Sequence, residues 1–257
     1  MKQTTDAHLS SPFRPEFFVT IDFDGTISRT DVTDAVIRKF ARDGWQEAEE
    51  LWEAGQIGSR ECLARQMALI DAPLAQIIAY AATQPIDPAF AEFMDVLNSH
   101  GIPYAILSDG FTPIIRGILA QAGLQDIPVY ASDLSQDKGK VKTFFANTSA
   151  SCHSGTCKCR TAALLAGDLP IVHIGDGRSD FCIAQKAAYV FCRGKLTGFC
   201  VEKELAHSPF MDFSEVSSVV RALLIQQDWL LREQAPKMPS QPESDSGFFP
   251  IDQPAAA

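Results

Sequence analysis

Long hydrophobic runs are missing from this chain of 257 residues. No apolar stretch approaches the roughly 20 residues that a membrane-spanning helix needs, and the N-terminal segment lacks the hydrophobic core of a secretory signal peptide. Without such a signal, the seven cysteines are expected to be reduced thiols rather than a disulfide framework. The sequence therefore predicts a cytoplasmic protein with no membrane partner.

Positive charge is also scarce. The chain carries 22 Lys and Arg residues against 32 Asp and Glu residues, which gives a formal net charge of −10 at pH 7. This balance argues against nucleic acid or an anionic membrane as the main partner, because both bind basic surfaces. A small phosphorylated molecule is still compatible with it, since a few local donors suffice to hold one phosphate.

Internal repeats are missing as well, and the composition is that of an ordinary globular protein. Hydrophobic residues make up 46% of the chain and charged residues 21%, so most of the chain is expected to fold. The exceptions are the polar ends: residues 1–16 are predicted to form a flexible arm, and residues 233–257 a disordered tail. The remaining length suits one large domain with a smaller insert.

The pattern of apolar residues predicts an α/β fold with a mainly parallel sheet. A short β-rich run ends at Asp22 and is typical of a buried strand. Residues 29–87 carry apolar residues at helical spacing, interrupted by Gly or Pro, and predict an all-helical insert. Strands and helices then alternate, which is the pattern of a Rossmann-like core built from residues 17–28 and 88–232.

The first strand is followed by Asp22-Phe23-Asp24-Gly25-Thr26, in which two carboxylates lie close together in sequence. At the end of a buried strand, both carboxylates lose hydration and repel each other, and a divalent cation would offset that cost. Gly25 permits a tight turn, and Thr26 adds a hydroxyl at the same point. The alternative is a solvated acidic turn that begins a helix. Ligands of open α/β sheets bind at the carboxyl ends of the strands, which favours a functional site.

Two later strands also end in polar turns. Ser108-Asp109-Gly110 follows one of them and can donate hydrogen bonds to a phosphate, although the same residues suit any turn. Asp176 and Asp180 follow the other strand, where each alone would be an ordinary helix cap. Together with the acidic pair after the first strand, they predict a Mg²⁺ site of hard oxygen ligands.

In this order and at these separations, the motifs resemble those of the haloacid dehalogenase superfamily of phosphatases. That family has a DxDGT motif, a Ser or Thr that ends a second strand, a Lys, and a GDxxxD motif. The resemblance covers approximately residues 17–230 and implies a Rossmann-like core with an inserted helical cap, here residues 29–87. This cap resembles that of the phosphoserine-phosphatase-like subclass.

The resemblance implies a Mg²⁺-dependent phosphomonoesterase that works through an aspartyl-phosphate. Asp22 would be the nucleophile, and Asp24 would protonate the leaving oxygen and then activate water. The metal would be held by the Asp22 carboxylate, the Asp24 backbone carbonyl and Asp176. Asp180 would support it directly or through water. The residues implied to contact the phosphate are Thr26, Ser108, Asp109, Gly110 and Lys158.

The family's lysine is expected shortly before a helix that precedes the GDxxxD motif, and Lys158 has that position. It would pair with the nucleophile and with the phosphate oxygens. Four other cations lie nearby in sequence and compete for this role: Lys138, Lys140, Lys142 and Arg160. The alternative is a solvated basic loop.

The segment before Lys158 is rich in cysteine and resembles a loop found at this place in two branches of the family. One branch is the methionine-salvage phosphatase that acts on 2-hydroxy-3-keto-5-methylthiopentenyl-1-phosphate, and the other comprises the phosphoethanolamine/phosphocholine phosphatases. Four residues of this segment offer zinc ligands: Cys152, His153, Cys157 and Cys159. Their spacing is not that of a standard zinc finger and one loop seldom closes such a site, so reduced thiols are favoured.

The cap is expected to select the substrate. Asp31 lies where phosphoserine phosphatases carry an acidic residue for the substrate ammonium, and it equally suits the N-cap of a helix. Arg60 and Arg65 are predicted to lie on a cap helix, where they would bind a substrate carboxylate or stay solvated. Phe111 follows the SDG motif and is predicted to line the pocket.

The sequence thus predicts the hydrolysis of a small phosphorylated metabolite, with methionine salvage as the favoured context. Phosphoserine, phosphoethanolamine and phosphocholine are the alternative substrates. Functions of another class are a phosphotransferase or mutase and a phospho-accepting regulatory domain, and both Asp24 and the helical insert argue against the regulatory domain. Neither nucleic acid nor a membrane is expected as a partner, and a homodimer is left open.

Overall fold

The computed structural model describes residues 16–234 of the chain. The predicted N-terminal arm and C-terminal tail lie outside this range, apart from Glu16 and the two residues that end the last helix. The contacts within the chain divide the described residues into two compact units. The first ends at Val220, and the second begins at Arg221, within the last helix. No helix within residues 16–234 combines the length and the hydropathy that crossing a bilayer requires.

Seven strands of the first unit form a single sheet. They are β1 (Phe18–Ile21), β2 (Tyr104–Phe111), β3 (Val129–Asp137), β4 (Lys140–Phe144), β5 (Ile171–Gly175), β6 (Tyr189–Cys192) and β7 (His207–Pro209). Their order across the sheet is β4-β3-β2-β1-β5-β6-β7. All neighbours are parallel except β3 and β4, which form an antiparallel hairpin at one edge. This topology confirms the predicted α/β fold class with a mainly parallel sheet.

Strand β1 lies at the centre of the sheet, between β2 and β5. Its apolar residues Phe18, Val19 and Ile21 are all buried, as expected for a parallel strand that is covered on both faces. The polar residue of the strand, Thr20, is satisfied by a hydrogen bond of 2.9 Å with Nδ1 of His173 on β5. The strand order reverses beside β1, so the chain leaves it at the point where open α/β sheets bind ligands.

Ten α-helices occur within residues 16–234. They are α1 (Val32–Phe40), α2 (Trp45–Glu53), α3 (Ser59–Met67), α4 (Leu74–Ala81), α5 (Phe90–Ser99), α6 (Thr112–Gln121), α7 (Lys158–Ala166), α8 (Phe181–Ala184), α9 (Gly194–Glu202) and α10 (Phe213–Gln234). The first four follow β1 with no strand between them, as predicted for the insert. Apolar positions such as Val36 and Ile77 give these helices their buried faces. The division into a core and a cap at residues 29–87 stays a prediction.

The SDG motif differs from its prediction as a turn. Strand β2 continues through Ser108 and Gly110 as far as Phe111, and its pairing with β3 shifts register between Leu107 and Phe111. Such an irregularity re-aims side chains at a strand end. The motif therefore lies on an extended, kinked strand end that is held by its neighbour.

The sheet edge and the last motif also differ in detail from the sequence pattern. Strands β3 and β4 are joined by a two-residue turn at Lys138 and Gly139, with φ values of 49° and 80° that are typical of tight hairpins. The helix predicted after the GDxxxD motif is only the four residues of α8, and β7 has three residues. Strand β7 contains too few residues for a periodic pattern to indicate it, and α8 is shorter than the helix that the pattern predicts.

Candidate active site

The carboxyl ends of β1, β2 and β5 lie side by side and bring the predicted motifs together. Asp22 follows β1, Ser108 lies near the end of β2, and Asp176 follows β5. A cavity of about 560 Å³ opens at this edge of the sheet. Its lining includes motif residues and residues of the insert, among them Asp22, Asp24, Ser108, Asp176, Ile37, Trp52 and Leu63.

A buried lysine links the two acidic motifs. The Nζ atom of Lys158 lies 2.5 Å from Oδ1 of Asp22 and 2.6 Å from Oδ1 of Asp180, and all three side chains are at most 5% exposed. The hydroxyl of Ser179 is a third partner, 3.1 Å from Nζ. Lys158 is the first residue of α7, so the start of that helix positions the ammonium group at the end of β1.

The competing cations lie elsewhere. Lys142 forms an exposed ion pair with Asp137 on the β3–β4 hairpin, where Lys138 and Lys140 also lie. Arg160 donates to the carbonyl of Thr148. Of the five cations that the sequence offers, Lys158 is the one that the structure places on Asp22.

Burial and charge shift the pKa values of this cluster in different directions. Burial alone would lower the pKa of Lys158, but the carboxylates of Asp180 and Asp22 outweigh it and raise that pKa. Burial raises the pKa of Asp22, and Asp180 and Asp176 add to the effect. Burial would also raise the pKa of Asp180, but Lys158 and His173 hold it below its ordinary value. The lysine therefore stays charged, with Asp180 as its ionised partner.

Three carboxylates converge at a point that can hold a metal ion. Oxygen atoms of Asp22, Asp176 and Asp180 lie within 4.8 Å of one another. Burial, and then the charge of Asp180, raises the pKa of Asp176 to about 6. Negative charge thus remains in excess after Lys158 is counted, and a divalent cation that prefers oxygen ligands would relieve it. The donor set fits Mg²⁺.

The carboxylate oxygens of Asp180 are already engaged by the protein. Its Oδ1 accepts from Lys158, and its Oδ2 accepts from the backbone N–H groups of Asp176 and Gly177, each at 3.1 Å. These contacts favour an indirect, supporting position for Asp180. Asp22 and Asp176 line the cavity, whereas Asp180 does not.

Asp24 is held by the start of α1. Its Oδ1 accepts from the N–H of Val32 at 2.8 Å, and its Oδ2 accepts from the hydroxyl of Thr33 at 3.1 Å. Gly110 lies against the same carboxylate, because a Cβ atom there would come within 2.8 Å of Oδ2. Burial raises the pKa of Asp24, and these hydrogen bonds only partly offset it. A carboxyl group with a raised pKa suits both donation and acceptance of a proton.

Two hydroxyls lie beside the carboxylates. Ser108 lines the cavity, and its Oγ accepts from the N–H of Gly110 at 2.9 Å, which leaves the hydroxyl proton for a ligand. The hydroxyl of Thr26 lies 3.3 Å from Oδ1 of Asp176 and 3.5 Å from Oδ2 of Asp22. Thr26 is fully buried and links two carboxylates, in contrast to the predicted contact with phosphate.

The carboxylate of Asp109 is engaged by the protein, and the phosphate contact of this residue stays a prediction. Its carboxylate accepts from the Ser59 hydroxyl at 2.5 Å and from the Thr156 N–H at 2.9 Å. Burial raises the pKa of this carboxyl group. The side chain joins β2 to the start of α3 and to the Cys-rich loop.

The structure corrects the predicted substrate contact of the two cap arginines and agrees with the solvated alternative for Arg65. The guanidinium of Arg60 donates to the carbonyls of Cys152 and Ser154. Arg65 pairs with Glu61 one turn earlier on the exposed side of α3. Neither arginine lines the cavity, because each is engaged by a nearer partner.

The other two predicted substrate contacts have different outcomes. Phe111 is fully buried at the end of β2 and does not line the cavity, so that prediction is also wrong. Asp31 does line the cavity, and its carboxylate accepts from the N–H of Asp34 at 2.8 Å, which caps α1. A substrate contact for Asp31 stays a prediction.

The Cys-rich loop docks on the insert rather than gathering around a metal. Among residues 16–234, the three aspartates described above are the one group of three or more His, Cys, Asp or Glu side chains that converges. The four candidate zinc ligands therefore do not meet. The backbone of His153 packs against Gly58, and its carbonyl accepts from the N–H of Arg60 at 3.1 Å.

Arg193 is a site residue that the sequence did not indicate. It follows β6, and its guanidinium donates to the carbonyls of Gly25 and Thr26, the latter at 2.8 Å, and of Met211 at 3.2 Å. Gly25 has a φ of +73°, so the turn that carries Asp22 and Asp24 has a left-handed residue at its centre. Arg193 fixes this turn by holding its carbonyls. No local pattern marks such a residue, because its partners lie far away in the sequence.

Replacing Arg193 with Ala is expected to lower kcat by roughly 10- to 100-fold with little change in KM, because a loosened turn misplaces catalytic groups. Arg193→Lys should rescue little, since an ammonium group cannot span the same carbonyls. Steady-state kinetics of both variants test this, with Arg160→Ala as the control on an exposed arginine. A kcat close to that of the wild type in Arg193→Ala would contradict it.

Arg178 makes a second contact that the sequence did not indicate, with the end of α2. Its guanidinium donates to the carbonyls of Trp52 and Glu53 at 3.1 and 3.2 Å, at the end of α2. The GDxxxD segment is thereby joined to the insert. Together with the Asp109–Ser59 bond, this contact fixes the insert over the carboxyl edge of the sheet.

Comparison with known proteins agrees with this geometry. The profile of haloacid dehalogenase-like hydrolases matches residues 19–185. A 2-hydroxy-3-keto-5-methylthiopentenyl-1-phosphate phosphatase of Brevibacillus brevis is 31% identical over 209 residues, which cover 78% of this chain and 93% of that protein. A protein of the same name from an Exiguobacterium species is 28% identical over 216 residues, which cover 80% and 97%.

Solved structures with the same fold include phosphoserine phosphatases. One, described as a phospho-aspartyl intermediate analogue of phosphoserine phosphatase, matches with a TM-score of 0.60 at 18% identity and covers 80% of this chain and 99% of its own. A phosphoserine phosphatase of T. onnurineus matches with a TM-score of 0.58 at 17% identity, covering 80% and 94%. At such low identity, these structures establish the fold alone.

Proposed function

Because the chain belongs to the haloacid dehalogenase-like hydrolase family and is a phosphatase of that family, we propose that it hydrolyses a small phosphorylated metabolite through an aspartyl-phosphate on Asp22. The observation that carries the proposal is the buried contact of Lys158 with Asp22 and Asp180, next to Asp176. It supports Asp22 as the nucleophile, because a buried positive charge and a group of carboxylates that suits a metal ion lie at the same strand end.

Asp22 and Asp24 divide the chemistry between them. In the first half-reaction, a carboxylate oxygen of Asp22 attacks phosphorus in line with the leaving oxygen. The ester bond to phosphorus breaks, and Asp24 gives its proton to the leaving oxygen. In the second half-reaction, Asp24 takes a proton from water, and the water oxygen attacks phosphorus. The bond between Asp22 and phosphorus breaks, which releases inorganic phosphate and restores the Asp22 carboxylate. The raised pKa of Asp24 supports this exchange of protons.

The carboxylate cluster supports Mg²⁺ as the cofactor. The Asp22 carboxylate, the Asp24 backbone carbonyl and Asp176 would hold it, with Asp180 behind them. When bound, Mg²⁺ would screen the repulsion between the nucleophile and the phosphate and stabilise the charge of the transferring group. Asp180 in turn keeps Lys158 charged and positioned.

Two residues of the chain would hold the phosphoryl group. Lys158 lies on the nucleophile and brings a positive charge that cannot be lost at neutral pH, since its pKa is raised. Ser108 offers a hydroxyl proton from the neighbouring strand. Both are buried, so their interactions with phosphate oxygens would be little weakened by solvent.

The substrate that we infer is 2-hydroxy-3-keto-5-methylthiopentenyl-1-phosphate, the compound named for the relatives from Brevibacillus and Exiguobacterium. The cavity supports this choice, because its lining includes Ile37, Trp52 and Leu63 of the insert, which suit a thioether tail. An amino-acid phosphate has less support. The arginines suggested for its carboxylate, Arg60 and Arg65, lie outside the cavity.

Phosphate release across a substrate panel tests both the reaction and the substrate. The panel contains the methylthiopentenyl phosphate, phosphoserine, phosphoethanolamine and phosphocholine, each with Mg²⁺ and with EDTA. We expect the first compound to have a kcat/KM at least tenfold above the others and EDTA to abolish its hydrolysis. Preference for phosphoserine would overturn the substrate, and transfer of phosphate to a second alcohol would overturn hydrolysis.

A further inference from the structure

Two cysteine sulfurs lie close together on α7 and α8, helices that begin at Lys158 and directly after Asp180. Sγ of Cys182 on α8 is 2.8 Å from Sγ of Cys159 on α7, although both residues are free thiols. This separation lies between a van der Waals contact and the bond length of about 2.05 Å in a disulfide. The proposed reaction uses neither residue.

We propose that Cys159 and Cys182 are a redox-active pair that hydrogen peroxide converts into a reversible intramolecular disulfide. Cys182 is exposed and can meet an oxidant from solvent, whereas Cys159 is partly buried behind it. The two therefore have the positions of a peroxide-accessible thiol and a resolving thiol. Transient disulfides of this kind are compatible with a reducing cell interior.

The neighbouring Cys157 is a weaker partner. The Sγ atom of Cys157 is 3.7 Å from that of Cys159, whereas the Sγ atom of Cys182 is only 2.8 Å from it. Cys157 is also 2% exposed, so an oxidant from solvent does not reach it directly. The geometry selects Cys182.

The chemistry balances with peroxide as the two-electron oxidant. The Cys182 sulfur attacks one peroxide oxygen, the O–O bond breaks, and the other oxygen leaves with the thiol proton as water. The Cys159 sulfur then attacks the sulfur of the Cys182 sulfenic acid. The S–S bond forms, the S–O bond breaks, and the hydroxyl leaves with the Cys159 proton as a second water. A dithiol reductant reverses the bond by exchange.

We expect the disulfide to link α7 to α8 and so to hold together the segments that carry the buried ion pair. Lys158 directly precedes Cys159, and Asp180 lies two residues before Cys182. Nζ of Lys158 already lies 2.6 Å from Oδ1 of Asp180 in the thiol form. The new bond would therefore restrain an existing arrangement. By restricting the unfolded chain, it should raise the midpoint of thermal unfolding by several degrees.

Peroxide treatment of the full chain, followed by thiol counting and peptide mapping without reductant, tests the pair and needs no substrate. We expect the free thiols to fall from seven to five, because one bond consumes two. The cross-link should join Cys159 to Cys182, raise the unfolding midpoint and disappear with dithiothreitol.

Cys182→Ser and Cys152→Ser form a matched pair of variants. The first removes an exposed sulfur of the proposed pair and should lose both the cross-link and the midpoint shift. The second alters a partly exposed cysteine of the Cys-rich loop and should keep both. A cross-link of Cys159 to Cys157, or peroxide oxidation of wild type without any cross-link, would overturn the proposal. Mapping of the wild type decides this even where a variant folds poorly.

Discussion

Asp22→Asn is expected to lower phosphate release by at least about 1,000-fold while the protein stays folded. The amide keeps the shape of the side chain but cannot attack phosphorus as an anion. Folding should not suffer, because burial and the charges of Asp180 and Asp176 raise the pKa of Asp22. A raised pKa means that ionising this carboxyl group costs more free energy in the folded protein than in the unfolded chain. In EDTA, the unfolding midpoint should therefore stay the same or rise.

Asp137→Asn is the matched control for this substitution. Asp137 forms an exposed ion pair with Lys142 on the β3–β4 hairpin, so its neutralisation should change neither turnover nor the unfolding midpoint. Turnover of Asp22→Asn at the wild-type rate would remove Asp22 as the nucleophile. Loss of the folded state in this variant would instead show that the carboxylate is needed for structure.

Lys158→Met is expected to have the opposite effect on stability. The substitution leaves Asp22 and Asp180 buried without their cation, which should cost about 3–5 kcal/mol in the free energy of unfolding. Phosphate release should also fall by at least about 100-fold, because a fixed charge near the transferring group is lost. Urea unfolding in EDTA and turnover with Mg²⁺ measure the two effects separately.

Lys142→Met provides the control for the lysine. Its ion pair with Asp137 has 54% exposure on both side chains, so its removal should change the free energy of unfolding by less than about 0.5 kcal/mol. If Lys158→Met is as stable as Lys142→Met, the buried ion pair does not hold the site together. Opposite stability effects of Asp22→Asn and Lys158→Met would indicate that negative charge exceeds positive charge in this buried cluster.

The fold class and the meeting of the acidic motifs could be predicted because both depend on local patterns. A strand buried on both faces is a continuous apolar run, and the polar turn after it can be read directly from Asp22 to Thr26. The rule that ligands bind at the carboxyl ends of parallel strands then places Asp176 beside Asp22. The structure bears this out with a cluster whose oxygens lie within 4.8 Å.

The contacts of the insert could not be predicted, because they depend on partners distant in sequence. Arg60 faces backbone carbonyls of the Cys-rich loop, and Asp109 joins Ser59 to Thr156. The residue types are compatible with both a substrate contact and a structural contact. Only the position of the loop decides between them.

Arg193 illustrates the same limit at the centre of the site. It holds the carbonyls of Gly25 and Thr26, more than 160 residues earlier in the chain. In sequence, it is a lone arginine after a short strand, with no acidic partner to mark it. Every residue has a backbone carbonyl, so a contact with carbonyls requires no particular residue type in the partner. Only the three-dimensional structure identifies a residue such as Arg193.

Trapping the covalent intermediate is the most direct test of the proposed chemistry. The enzyme would be quenched in acid during turnover with Mg²⁺ and substrate, reduced with borohydride, and mapped by mass spectrometry. Reduction of an aspartyl-phosphate gives homoserine, which we expect at position 22 and only when substrate is present. Homoserine at another aspartate, or an unmodified Asp22 in enzyme that is releasing phosphate, would contradict Asp22 as the residue that carries the phosphoryl group.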